Sequence, residues 1–176
     1  MTEKKTPARA GRGSRFATVL AVFLIALASG AAHAGRFEVV DERLVHDREA
    51  GLLWMRCSVG QEPRDGRCAG EAELFVWTAA EQRVETLEPA ACPWRLPGFH
   101  ELRSLLQDGA EDPAIDTAVF PDTPSGWYWA DATAAGHSPY DCFVDFSGAG
   151  RTLCNTSGRF HLRAVVESEH LASCRR

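Results

Sequence analysis

After Lys5 the chain contains no lysine, and beyond residue 34 it contains no apolar run of the roughly 20 residues that a membrane-spanning helix needs. The first absence leaves arginine as the sole strong cation of the main body, a planar fork suited to carboxylates and sulfates, although compositional bias accounts for it equally well. The second gives no reason to expect a spanning helix there. Catalytic signatures are also missing: there is no Gly-x-Ser-x-Gly, His-Glu-x-x-His, Cys-x-x-Cys or His-x-x-x-His. These gaps argue against an elbow-type hydrolase, a zinc protease and a dithiol oxidoreductase. Paired carboxylates for glycoside cleavage have no fixed spacing, and the sequence leaves them open. No internal repeat, heptad run or collagen-like Gly-x-y tract is present, so neither a solenoid nor a coiled coil is expected.

What is present begins with a targeting segment. Lys4, Lys5, Arg9, Arg12 and Arg15 form a basic start, Phe16 to Ala28 is almost wholly apolar, and Ala32-His33-Ala34 is a small-x-small cleavage site. This order reads as a secretory signal over residues 1–34, removed after Ala34. The apolar run of 13 residues is too short for an anchor, and no paired arginines precede it, which favours the general secretion route. Residues 35–176 then form one domain, expected in the periplasm or at the cell surface.

From residue 35 onward the chain has 14 arginines against 23 acidic residues, a net of −9. A field of that sign repels nucleic acid and anionic membranes. The distribution is uneven, since residues 140–176 hold five arginines and four acids, which leaves room for a small basic face near the C-terminus.

The six cysteines, Cys57, Cys68, Cys92, Cys142, Cys154 and Cys174, all follow the signal, and an even number in an exported chain reads as a disulfide framework. Proximity favours Cys57 with Cys68 and Cys142 with Cys154, each closing a loop worth about 3 kcal/mol in the chain-entropy model. Cys92 and Cys174 then tie the middle of the chain to its end, although sequence alone does not choose among the possible pairings. The intervals fit no zinc pattern.

Phe37 to Val40 and Leu52 to Met55 have the apolar content of short strands, separated by the charged stretch Asp41 to Glu49. Trp77, Ala80, Val84 and Leu87 recur at helical spacing, with Glu81, Gln82 and Glu85 facing away. A second helix begins near Gly98, with Leu102, Leu105 and Leu106 on one stripe and Asp108-Gly109 ending it. Trp127 to Ala130, Cys142 to Phe146 and Phe160 to Val166 read as strands, the last alternating along its length. Two helices followed by antiparallel strands make an α+β domain.

Gly51-Leu-Leu-Trp-Met-Arg-Cys57, Trp94-Arg-Leu-Pro97 with Glu101-Leu102, Ile115-Asp116 with Phe120-Pro121, Tyr128-Trp129 and Val144-Asp-Phe146 occur in an order that resembles the Lcl C-terminal domain family of bacteria, from about Phe37 to Val166. The resemblance implies a C-type lectin-like fold and a secreted or surface-exposed binding domain; some relatives act as adhesins for sulfated glycans, as trimers on collagen-like stalks. This chain lacks the stalk and is strongly acidic, and Glu167 stands where the family often closes its last strand with an arginine. The fold therefore carries over more readily than the ligand.

The motif residues Trp54, Trp94, Arg95, Pro97, Glu101, Asp116 and Trp129 read as architecture. The tryptophans anchor the core, and a carboxylate such as Glu101 or Asp116 holds Arg95; the rival reading makes Arg95 a ligand clamp. The Ile115-Asp116 and Phe120-Pro121 elements pin a long loop over the core. The calcium-dependent sugar motifs of C-type lectins, Glu-Pro-Asn or Gln-Pro-Asp with Trp-Asn-Asp, are absent, and no cofactor is expected. The acidic residues Asp108, Glu111, Asp112 and Asp116 would be the place for calcium, with a solvated loop as the simpler reading. For a ligand, Trp127, Asp131, His137 and Tyr140 offer stacking faces and hydrogen-bonding groups on loops carried by the scaffold. The expected function is a non-catalytic binding module of the envelope, with a glycan as ligand. The alternative is a structural envelope protein that binds another protein. A redox enzyme akin to the formylglycine-generating members of the lectin-like superfamily comes third, since it requires reactive free thiols.

Overall fold

The computed structural model describes residues 35–107, 109, 112–131, 142–148, 152–154 (backbone only) and 157–175. These residues form an α+β domain of short antiparallel strands and few helices. Strands β1 (Phe37–Val39), β2 (Leu44–Asp47), β3 (Leu52–Met55) and β9 (Val165–Glu167) make one sheet in the order β1-β2-β3-β9. Strands β6 (Trp127–Ala130), β7 (Cys142–Asp145) and β8 (Thr152–Cys154) make a second sheet, and β4 (Glu62–Arg64) with β5 (Arg67–Ala69) forms a hairpin. The helices are α1 (Trp77–Val84), α2 (Phe99–Arg103) and α3 (Leu171–Cys174), the last continuing a 3-10 turn at Ser168–His170.

The stretch Asp41 to Glu49 is a correction to the sequence reading. It separates two strands there, but in the structure it contains β2, which pairs with both of them. Leu44 and Val45 are buried while Asp47 makes the turn into β3. The Asp47 carboxylate accepts the backbone N–H groups of Glu49 and Ala50 at 3.2 and 3.1 Å, and the Arg36 guanidinium at 2.6 to 3.1 Å. A charged residue in the interior is thus satisfied on every side, and this allows a strand within a polar stretch.

The segment Phe160 to Val166 also differs. Only Val165–Glu167 is a strand, and Leu162, Arg163, Ala164, Val165 and Val166 are all fully buried. The apparent alternation does not separate core from solvent, because both faces are covered. Neighbours on a strand enter different clusters: Leu53, Trp129, Phe143 and Val166 join Trp94 and Phe160, whereas Trp54, Tyr128, Val144 and Val165 join Leu102, Ile115 and Phe120.

The Trp94–Phe99 segment connects the two sheets. Arg95 exchanges both backbone hydrogen bonds with Val165 of β9 at 3.0 Å. A few residues on, Pro97 O accepts Asp131 N at 2.8 Å, and Phe99 N donates to Asp131 O at 3.1 Å, just past β6. Two disulfides fix the periphery: Cys57–Cys68 braces the hairpin and Cys92–Cys174 fastens α3 beside this connecting segment. Cys142 is also disulfide-bonded and stands opposite Cys154 in the β7–β8 register. No described cysteine is free.

Candidate functional site

Helix α1 supplies one wall of a cleft. Trp77, Ala80 and Val84 face inward as the spacing requires, but residues four apart share a stripe, so Trp77, Glu81 and Glu85 run side by side along the helix edge. Trp77 meets the buried Trp129 ring edge-on at 5.5 Å between centroids. The same stripe, with Val84, faces Trp94, Arg95, Leu96, Glu101, Asp131 and Glu167 across a cleft of about 530 Å³, within the range that holds a small ligand.

Arg95 lies in the wall between two carboxylates. Its Nε and Nη2 donate to Glu167 Oε1 at 3.0 and 2.7 Å, its Nη1 and Nη2 donate to the Glu101 carboxylate at 2.8 and 2.9 Å, and its Nη1 also donates to Leu96 O at 3.1 Å. Those five bonds use all five N–H groups of the guanidinium. The Glu101 hydrogen bonds, outweighing burial, hold Arg95 firmly charged, and Arg95 in turn draws Glu167 below the usual carboxylate range. Glu101 also opens α2, because its Oε2 accepts Gly98 N at 2.6 Å, satisfying a helix-terminal donor. Asp116 does not reach this group. It accepts Ala118 N and Val119 N at 3.0 and 3.3 Å and shapes its own loop, below which Ile115 and Phe120 are buried.

Trp54, Trp94 and Trp129 are core residues, with Trp129 Nε1 donating to Phe75 O at 2.7 Å and Trp94 Nε1 to Glu88 O at 3.3 Å. Pro97 is buried on the connecting segment. Of the residues singled out for ligand binding, Asp131 lines the cleft, while Trp127 is not among its lining residues. Trp127 stacks on Phe143 at 4.7 Å with an angle of 14° and keeps 39% of its surface exposed. His137 and Tyr140 lie outside the described residues, as do Asp108 and Glu111. Asp112 is exposed, and among the described residues no cluster of acids, histidines or cysteines is arranged to hold a metal.

Sequence reasoning misses Trp77, Glu81, Glu85 and Glu167 as cleft residues; the available signal is the four-residue spacing on α1. It also misplaces Arg163, one of the arginines assigned to a basic face. Arg163 is fully buried, donating to the carbonyls of Met55 and Arg56, to Thr123 Oγ1 at 2.8 Å and to Ser58 Oγ at 3.3 Å, with the guanidinium 4.9 Å from the Phe120 ring. These acceptors are all neutral, and burial depresses the pKa of Arg163 while raising that of its neighbour Tyr128. Arg163 therefore contributes to the interior and not to a basic surface. A second cavity of about 560 Å³ borders the hairpin. There Gln61 Nε2 donates to the Asp122 carbonyl and Cys68 N to the Asp122 carboxylate, each at 2.9 Å, and Arg67 pairs with that carboxylate.

The buried tryptophans, the connecting segment with its arginine held by Glu101, and the loop over the core all fall within residues 43–166, which match the model of the Lcl C-terminal domain. The chain belongs to the Lcl C-terminal domain family. No curated protein and no solved structure matches the chain. Within the Lcl C-terminal domain, the matched residues include every described lining residue of the cleft except Glu167, the outer partner of Arg95.

Proposed function

We propose that this chain is an exported, non-catalytic binding module of the cell envelope, with a C-type lectin-like fold, that holds a glycan in the cleft beside α1. The cleft carries the proposal. A sugar ring needs an apolar surface for its C–H face and several hydrogen-bonding groups for its hydroxyls, and the cleft places Trp77 next to Glu81, Glu85 and Asp131. Export rests on the basic, apolar and small-residue order of residues 1–34 and on the disulfides, which form and persist in oxidising compartments. The destination is the periplasm or the cell surface. A binding role is favoured over thiol chemistry because the described cysteines are bridged.

Protein recovered from the exported fraction and passed over an array of immobilised glycans tests this reading. A chain starting at Gly35 that binds saturably, with binding lost in Trp77→Ala, is the expected result. Retention in the cytoplasm refutes export, and failure to bind any glycan refutes the ligand class.

One observation favours a second reading, a structural envelope protein with a protein partner. Leu74 and Val76 are 44% and 46% exposed on either side of Phe75, which bridges Phe160, and the exposed Trp127 ring lies 5.1 Å from the Phe160 ring. An apolar group of this kind at the surface suits protein contact. Cross-linking from position 127 in the cell, yielding one protein adduct in the absence of glycan binding, would favour it.

A further inference from the structure

The charge of the cleft bears on which glycan it takes. Among the described residues that line it, the only arginine or lysine is Arg95, and its N–H groups are fully engaged by Glu101, Glu167 and Leu96 O. An incoming sulfate or carboxylate would have to displace Glu167 to gain a hydrogen bond from it. The helix wall presents the exposed Glu81 and Glu85, which add negative charge beside the tryptophan. Anions are therefore repelled by the field and find the arginine fork already filled, whereas an ammonium group meets carboxylates and an aromatic face, both of which attract a cation.

Resting on the reading of the cleft as a glycan site, we infer that it selects a glycan bearing free amino groups and rejects sulfated ones. Trp77 stacks on the sugar ring, Glu81 and Glu85 accept hydrogen bonds from the ammonium group on the helix side, and Glu167 acts as a built-in plug that occupies the anion-binding fork of Arg95. Glu81 and Glu85 are exposed on one face of α1 and can be neutralised without disturbing the core.

Three oligosaccharides of equal length separate the possibilities: a glucosamine oligomer, its fully N-acetylated counterpart, and a sulfated heparin fragment, each titrated calorimetrically into the exported protein at slightly acid pH and low salt. The glucosamine oligomer is expected to bind most tightly and the heparin fragment least. The double variant Glu81→Gln/Glu85→Gln should bind the glucosamine oligomer about fivefold more weakly while melting as the parent does, the effect of losing two exposed ion pairs. Glu167→Ala, which frees two N–H groups of Arg95, should strengthen heparin binding severalfold. Equal binding of the acetylated and amino oligomers overturns the charge selection and leaves the glycan reading standing. Tightest binding of the heparin fragment overturns the inference in the same way. No binding of any of the three overturns both.

Discussion

Glu167 of β9 accepts two hydrogen bonds from Arg95, at 3.0 Å from Nε and 2.7 Å from Nη2, so the last strand of one sheet closes the guanidinium that Glu101 holds from the other side. Arg95 and Val165 are already joined through their backbones. The side-chain contact therefore fastens the strand end to the segment leading into α2.

Glu101 has more at stake in this arrangement than Glu167, because it serves both Arg95 and the first turn of α2. Glu101→Ala is expected to cost about 1 to 2 kcal/mol through loss of the helix-terminal hydrogen bond and the paired contact. Glu167→Ala, at an exposed site, should leave the melting temperature almost unchanged. Thermal unfolding of the two variants side by side checks the order.

The tryptophans should divide by burial. Trp94→Ala is expected to cost about 3 to 5 kcal/mol, with Trp129→Ala as severe, because each leaves a cavity in the same cluster. Trp127→Ala should be milder, since its ring is partly exposed and covers Phe143 from outside. Chemical denaturation measures each difference, and equal losses at Trp94 and Trp127 would refute the division.

The Cys57–Cys68 and Cys92–Cys174 disulfides close loops of very different length, with separations of 11 and 82 residues. In the chain-entropy model, replacing Cys92 and Cys174 by serine should cost more than about 4 kcal/mol, against about 3 for Cys57 and Cys68. The longer bridge also anchors α3 beside Trp94, so its loss should expose α3 to amide exchange first.

Acid should weaken the first sheet through Asp47. Burial by itself raises the pKa of this carboxyl, but hydrogen bonds from Arg36, Ala50 and Glu49 and the Arg36 charge bring it below the ordinary value. A carboxylate depressed in the folded state stabilises the fold above its unfolded pKa, roughly 4, and loses that contribution as pH falls through the lower folded value. Urea unfolding as a function of pH should show a decline below about pH 4, with a shallower slope in Asp47→Asn. That variant should also be about 2 kcal/mol less stable at neutral pH, where the charged hydrogen bonds are lost.

The parts legible in the sequence are those governed by local pattern. The inward face of α1 and the boundaries of β3 and β6 follow from spacing alone, and proximity along the chain favours the Cys57–Cys68 pairing that the structure contains. The β4–β5 hairpin is also within reach, since Arg64-Asp65-Gly66-Arg67 is an Asp-Gly turn in which both central residues have positive φ, 51° and 76°. Strand β2 is hidden because Asp47 is a charge made tolerable by a partner 11 residues away. Segment 162–166 misleads because an extended segment covered on both faces has no polar side from which to read where its strand begins. The cleft depends on bringing α1, Arg95, Asp131 and Glu167 together from distant parts of the chain, and no local pattern encodes that meeting. Asp131 stands out in the sequence, but its partners do not.

The chain carries five tryptophans, Trp54, Trp77, Trp94, Trp127 and Trp129, and their indole N–H resonances form a natural map of the surface. Following them by nuclear magnetic resonance while an oligosaccharide is added tests most directly whether the cleft beside α1 is the binding site. Saturable shifts of Trp77 and Trp94, with Trp127 and the buried Trp54 unmoved, are the predicted result. Shifts confined to Trp127, or a spectrum unchanged by every glycan, would contradict it.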